Sequence, residues 1–139
     1  MNAFVHLSNS IGGIVIWPSN QINKLPTINA ERGFNRKIVD RLDLTIECIR
    51  RYYLGEGSPL DALLIRYKDF FNLFGGFKEY IDFFLLQDAV TEDYSSVKIA
   101  EPYNNFAQSP IPKDVDEYVK YMETTSNFVT KRNLRIANV

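Results

Sequence analysis

Three runs of regularly spaced apolar residues, separated by glycines, constrain the fold of this chain more than any other feature. In each run an apolar residue recurs every three or four positions, the spacing that places side chains on one face of an α-helix. The first run predicts a helix over Arg36–Leu54 that ends at Gly55. The second predicts a helix from Ser58-Pro59 to Gly75-Gly76, and the third predicts a helix from Phe77 to about Val90.

A fourth helix is predicted near the end of the chain. Asp114, followed by Glu117 three residues later, has the pattern of a capping box and marks its start. Its inner face would carry Val115, Tyr118, Val119, Met122 and Val129. Residues 91–112, which contain Ser, Asn and three Pro, predict a long connection between the third and fourth helices.

The N-terminal part predicts a small β element. Ile14–Trp17 is a β-branched and aromatic run, and Thr27–Asn29 is a second short segment that would pair with it. The fold class is therefore predicted as α+β and predominantly α-helical, with about four helices and a single domain over residues 1–139. We expect the main core to consist of Leu42, Ile46, Ile49, Leu64, Tyr67, Phe71, Phe84 and Leu85.

Composition excludes several classes of function. The 16 basic and 17 acidic residues give a net charge of −1, which argues against a nucleic-acid binder that uses its whole surface. One cysteine, Cys48, cannot form an internal disulfide, and the one histidine, His6, is far from it in sequence. No signal peptide and no apolar run of about 18 residues is present, so we expect a soluble, cytoplasmic protein with no membrane contact. No motif calls for a metal or a cofactor, and we predict none.

The predicted helix over residues 36–54 carries the candidate site. Arg36, Asp40, Asp43, Glu47, Arg50 and Arg51 recur on one side of it at steps of mostly three or four residues. Because three carboxylates on one face repel each other, we expect Asp43 and Glu47 to be neutralised by arginines, with Arg32 and Arg36 as the nearest candidates.

Three interpretations of this face stay open. It is a solvated surface laced with ion pairs, a buried ion network that docks the preceding loop onto the helix, or a functional site. In the third case Asn29 and Arg32 from the preceding loop would line a pocket with Arg36, Asp40, Asp43, Glu47 and Arg51.

The same residues carry a resemblance to a known family. The segments Thr27–Asn29, Asp40–Arg51, Tyr80–Asp88 and Asp93–Val97 resemble a bacterial family of unknown function, over about residues 11–136. Members of that family are usually longer at the N-terminus, so the resemblance implies either a single domain or the C-terminal part of a longer architecture. It implies no role for any residue.

Two functions are consistent with the sequence. The first is a non-enzymatic protein-interaction or regulatory module of bacterial, phage or mobile-element origin, with another protein as its partner; the lack of a catalytic motif and the 14% aromatic content favour it. The alternative is an enzyme or nucleotide-handling domain that uses the charged face of the predicted helix.

Overall fold

The computed structural model describes residues 11–139, and this part of the chain is mostly helical. It contains α1 (Ile28–Phe34), α2 (Leu42–Leu54), α3 (Asp61–Arg66), α4 (Lys68–Phe71), α5 (Phe77–Phe83) and α6 (Val115–Ala137). Short 3-10 turns lie at Ile11–Gly13 and Gln87–Ala89. The predominantly helical class is confirmed, whereas the count of four helices is wrong for the described residues, which form six α-helices.

The predicted N-terminal β element is not present in the described residues. Residues 14–17 have no regular secondary structure, and Thr27 caps α1 by accepting the Ala30 N–H at 3.3 Å. Within residues 11–139 the β pairing is limited to an isolated antiparallel bridge between Val90 and Val97. Residues 14–17 therefore have no neighbouring strand to pair with. Their tertiary contacts, and not their β propensity, determine the conformation of this segment.

The first predicted helix begins later than its periodicity indicated. Helix α2 starts at Leu42, because Val39 and Asp40 adopt left-handed backbone angles, with φ of 47° and 62°, and close a turn onto α1. The Asp40 N–H donates to the Arg32 carbonyl oxygen at 2.9 Å. The turn exposes Val39 and buries Ile38 completely. At the other end Gly55 closes α2 with φ of 75°, as predicted.

The second and third predicted helices are also interrupted. The second is divided at Tyr67 into α3 and α4. The third ends at Phe83, and Leu85 adopts a left-handed φ of 56°. This reversal leaves Phe83 exposed and Phe84 and Leu85 only half-buried.

The core lies between α1, α2, α3 and α5. Five of the eight predicted core residues are buried, whereas Leu42, Phe84 and Leu85 are only half-buried and line its edge. The largest fully buried side chain is Tyr80, whose hydroxyl accepts a hydrogen bond from Trp17 Nε1 at 3.1 Å. The fully buried set also includes Ile28, Ile38, Leu44, Ile46, Ile49, Leu60, Leu63, Leu64, Phe71, Ile81 and Leu86.

Helix α6 begins at the predicted cap and packs mainly through its second half. Asp114 accepts the Glu117 N–H at 2.9 Å. Val129 and Arg132 are buried in the second half of the helix. Val115, Tyr118 and Val119, which were predicted to face inward, are exposed because the first half of α6 extends beyond the core. Within residues 11–139 no helix is both long and apolar enough to cross a membrane.

Candidate functional site

Glu47 is the centre of the predicted charged face, and it is buried. Its carboxylate accepts hydrogen bonds from Arg50 Nε at 2.8 Å, Arg50 Nη2 at 3.0 Å and Arg51 Nε at 2.8 Å. Burial favours the neutral form of Glu47, but the two arginines outweigh it and hold the pKa of this carboxyl below its ordinary value. Both arginines lie in the last turns of α2, so this part of the network forms within one helix.

Arg51 connects that pair to the long connection between α5 and α6. It donates to the Tyr103 hydroxyl at 3.3 Å and to Asn105 Oδ1, and its guanidinium lies 5.0 Å from the centre of the Phe106 ring. Phe106 is buried against the core. The ion pair therefore holds the connection against α2, an arrangement that a cation over an aromatic ring reinforces.

Arg41 and Asp43 form a second ion pair at the start of α2. Arg41 Nη2 lies 2.8 Å from Asp43 Oδ2, and Arg41 is only 4% exposed. Asp43 also accepts the N–H groups of Leu44 at 2.8 Å and of Ala100 at 2.9 Å. The guanidinium of Arg41 lies 4.9 Å from the ring centre of Tyr121 on α6. The pair thus joins α2, the connection and α6.

Arg32 joins α1 to α2. Its Nε donates to Thr45 Oγ1 at 2.9 Å, and its Nη1 lies 2.5 Å from Asp40 Oδ1. Burial lowers the pKa of Arg32 from its ordinary value, and the charge of Asp40 partly offsets that effect. The guanidinium also lies 5.1 Å from the ring centre of Trp17, so it holds the N-terminal segment as well.

For Asp43 and Glu47, these contacts show which of the three interpretations of the charged face is correct. Asp43 and Glu47 are neutralised by arginines, as predicted, but their partners are Arg41, Arg50 and Arg51. The proposed partners were wrong because residues 35–41 form a turn. Arg32 pairs with Asp40 instead, and Arg36 is exposed and forms no ion pair within the described part of the chain. A solvated surface does not describe Asp43 and Glu47, which belong to a structural ion network.

A cavity of about 630 Å³ lies between the N-terminal segment, α1, α2, the connection and α6. Of the seven candidate site residues, Asn29, Arg32, Asp40 and Asp43 line it, whereas Arg36, Glu47 and Arg51 do not. The apolar part of its wall is formed by Ile14, Val15, Leu42, Ile46, Phe128 and Val129. The sequence correctly placed Asn29 and Arg32 beside this helix, although both lie on α1 and not on a loop. The pattern contained no sign that α6 closes the other side.

The end of the cavity near the second 3-10 turn carries a different set of charges. Asp88 forms a two-point ion pair with Arg135, with Nε–Oδ2 at 2.5 Å and Nη2–Oδ1 at 3.2 Å. Hydrogen bonding from Arg135 lowers the pKa of Asp88, and the nearby charges of Lys131 and Lys98 act in the same direction. Arg135 therefore neutralises Asp88, and Lys98 and Lys131 line the cavity as further positive charges.

The single cysteine of the chain is buried, and the described residues form no cluster of metal ligands. Cys48 is buried, and burial raises the pKa of its thiol to about 11. Residues 11–139 contain no group of three or more His, Cys, Asp or Glu side chains placed to hold a metal ion. His6 lies outside the described residues.

The first half of α6 presents an apolar surface to solvent. Val115, Tyr118 and Val119 are 75%, 47% and 40% exposed, and Met122 beside them is half-buried. These four residues, the α6 stripe, follow the i, i+3, i+4, i+7 spacing of one helix face. Sequence periodicity located the stripe correctly but assigned it to the core, since the pattern does not say what covers it.

Comparison with known proteins adds a family. A family model, Family of unknown function (DUF6994), matches residues 1–136. A search of curated proteins returned no match, and a search of solved structures returned none either. The match confirms the resemblance to a family of unknown function that the sequence pattern indicated.

Proposed function

The chain belongs to this family of unknown function, and because the family description names no activity, we propose from the geometry alone that the protein is a non-enzymatic interaction module that binds another protein. The observation that carries this proposal is the exposed α6 stripe. An apolar helix face that the chain itself leaves uncovered is a common docking surface for a partner.

The charged network supports binding rather than catalysis. Asp40, Asp43 and Glu47 each pair with an arginine of the same chain. A carboxylate held in an ion pair with a lowered pKa, as Glu47 is, is a poor general base near neutral pH because it has little affinity for a proton. The alternative is an enzyme or nucleotide-handling domain that uses this face. It has less support, because three of its candidate residues do not line the cavity: Arg36, Glu47 and Arg51.

The charges beside the α6 stripe favour a basic partner. Asp116 and Glu123 are exposed residues that flank the stripe on the same side of the helix, and neither forms an ion pair in the described part of the chain. Antiparallel pairing of two stripes would set Asp116 of each copy near Glu123 of the other, where like charges repel. We therefore propose a protein segment with apolar and basic side chains as the occupant, rather than a second copy.

The setting that we propose for this module is the cytoplasm of a bacterium, or of a bacterium that carries a phage or mobile element. The single cysteine supports a reducing compartment, because the chain stabilises its fold without a disulfide. The origin rests on the resemblance alone.

Two model peptides test the proposed occupant. One is an amphipathic helical peptide of Leu and Lys, and the other replaces every Lys with Glu. We expect the Leu/Lys peptide to bind roughly tenfold or more tightly than the Leu/Glu peptide, measured by fluorescence anisotropy at low salt. Val115→Ser combined with Val119→Ser should abolish the difference, because the substitutions remove apolar area from the stripe.

Ile65→Ser is the matched control, since Ile65 is an exposed apolar residue on α3. It should leave peptide binding unchanged. Equal binding of both peptides by the wild-type protein would contradict the proposal, and so would a stripe variant that binds the Leu/Lys peptide as tightly as the wild type does. A dimer in light scattering that the stripe variant dissolves would identify a second copy as the occupant and overturn the basic-partner assignment.

A further inference from the structure

We propose that the cavity between α2 and α6 is a binding site for a small organic anion, with its negative group held between Lys98 and Lys131. The proposal does not rest on the proposed function, because the α6 stripe lies outside this cavity. A cavity of about 630 Å³ falls within the range of roughly 300–1,000 Å³ that is typical of small-molecule sites.

The charged residues that line the cavity indicate that its ligand is negatively charged. Six charged residues line the cavity, and four of them are neutralised by ion pairs: Arg32 with Asp40, Asp43 with Arg41, and Asp88 with Arg135. The remaining two are Lys98 and Lys131, and neither ammonium group forms an ion pair or hydrogen bond within residues 11–139. The wall therefore carries two uncompensated positive charges.

Both of these lysines lie at the same end of the cavity. The Lys98 N–H donates to the carbonyl oxygen of Ala89, the residue after Asp88, at 2.8 Å, and Lys131 precedes Arg135, the partner of Asp88, by one turn of α6. Because Asp88 is already held at two points by Arg135, it does not neutralise the lysines as well. A carboxylate, sulfonate or phosphate group between the two ammonium groups would provide the missing charge.

The rest of the wall describes the body of the ligand. Ile46 is fully buried and Phe128 is half-buried, and together with Leu42 and Val15 they give the cavity an apolar side. Elsewhere on the wall, Asp40 has a largely exposed carboxylate and Asn29 is exposed. The site thus fits an anion with an apolar body and a further hydrogen-bonding group.

Three naphthalene probes whose polar groups are negative, neutral and positive test the assignment: 2-naphthoate, 2-naphthylmethanol and 2-naphthylmethylammonium. We expect 2-naphthoate to bind most tightly and the ammonium probe least, in calorimetric titrations of the full chain at low salt. Raising the salt concentration should weaken naphthoate and leave the alcohol almost unchanged. Inorganic phosphate should bind more weakly than naphthoate, since it cannot use the apolar wall.

Lys98→Gln combined with Lys131→Gln should weaken naphthoate by roughly tenfold or more and leave the alcohol unaffected. The double arginine variant, Lys98→Arg with Lys131→Arg, should retain binding. Lys120→Gln is the matched control, because Lys120 is an exposed lysine on α6 that does not line the cavity. All three lysines are exposed, so the variants should fold, which circular dichroism checks.

Several outcomes would overturn the proposal. One is equal affinity of the protein for the three naphthalene probes, and another is an affinity for inorganic phosphate as high as that for naphthoate. A third is a loss of naphthoate affinity in Lys120→Gln as large as the loss in the double glutamine variant. The stripe variant Val115→Ser with Val119→Ser should bind naphthoate normally, so failure of the protein-docking proposal and failure of the anion site are distinguishable.

Discussion

Arg41 and Asp43 lie two residues apart in the chain, and their side chains form a two-point ion pair, with Nε–Oδ1 at 3.1 Å and Nη2–Oδ2 at 2.8 Å. The remaining donors of Arg41 reach the carbonyl oxygens of Ala100 at 2.5 Å, Pro102 at 2.8 Å and Pro110 at 2.9 Å. One buried guanidinium thus fixes the path of the connection from residue 100 to residue 110. A charge in this position is stabilised only while all of its partners are present.

Removing Arg41 should be among the most damaging single changes in the chain. Arg41→Ala leaves Asp43 without its counter-ion and three carbonyl oxygens without this donor, and we expect a loss of about 3–5 kcal/mol in the free energy of unfolding. Arg41→Lys should recover little of this, because an ammonium group cannot reproduce the fork of five N–H groups. Urea unfolding followed by circular dichroism measures both losses.

The matched control is Arg36→Ala, since Arg36 is exposed and forms no ion pair in the described residues. It should change the free energy of unfolding by less than about 0.5 kcal/mol. A loss below about 1 kcal/mol for Arg41→Ala would show that water replaces its hydrogen bonds and that the connection keeps its path without it.

Glu47 should make stability depend on pH in a defined direction. Burial favours its neutral form, but Arg50 and Arg51 outweigh burial and hold the pKa in the folded protein below the ordinary value of 4.5. The unfolded chain therefore takes up the proton at higher pH than the folded chain does. The stabilisation from ionised Glu47 is fully present above the ordinary pKa and is lost as the pH falls through the folded pKa.

Glu47→Gln isolates this contribution from that of the other carboxylates. We expect the difference in free energy of unfolding between wild type and variant to be constant near neutral pH and to shrink as the pH falls below about 4.5. Urea unfolding across that range measures it, with Glu123→Gln on the exposed side of α6 as the control. A difference that grows on acidification would mean that burial, not the arginines, dominates the pKa of Glu47.

Structural features that depend only on neighbouring residues, such as the ends of helices, were predictable from the sequence. Gly55 takes the left-handed conformation that ends α2, and Asp114 caps α6 with its side chain. Apolar spacing likewise located Ile46, Ile49 and Leu64 in the core. Each of these features depends on a few neighbouring residues, so the sequence alone contains the information.

Features that depend on distant parts of the chain were not predictable in the same way. Arg41 resembles one more charge on a polar helix face, and only the carbonyl oxygens of residues 100–110 make it a buried residue. The left-handed turn at Val39 and Asp40 interrupts a periodicity that continues through it. The cavity needs α6 as its second wall, and α6 begins about 60 residues after α2 ends.

The different burial of two phenylalanines predicts different costs of truncation. Phe71 is fully buried, so Phe71→Ala should lower the free energy of unfolding by about 3–5 kcal/mol. Phe84 is half-buried, with its ring centre 4.9 Å from that of Tyr80, and Phe84→Ala should cost clearly less. Paired denaturant unfolding curves test the order, and equal losses would mean that Phe84 is as central as its sequence periodicity indicated.

Gly12 gives the last prediction, because the chain there approaches α6 too closely for any side chain. Its N–H donates to Asn133 Oδ1 at 2.6 Å, and a Cβ atom on Gly12 would lie 2.5 Å from that oxygen and 2.5 Å from the Val129 carbonyl oxygen. The carbonyl belongs to the helix backbone and cannot move without α6. Gly12→Ala should therefore separate the first 3-10 turn from α6 and cost about 1–3 kcal/mol.

Gly33→Ala in α1 is the control, since a Cβ there meets nothing within 4 Å, and it should stabilise the protein by up to about 1 kcal/mol. Thermal unfolding of the two variants checks the opposite signs, and hydrogen exchange should show faster exchange near residue 12 only in the first. If both substitutions shift the unfolding temperature in the same direction, the close packing of Gly12 against α6 does not hold the N-terminal segment in place.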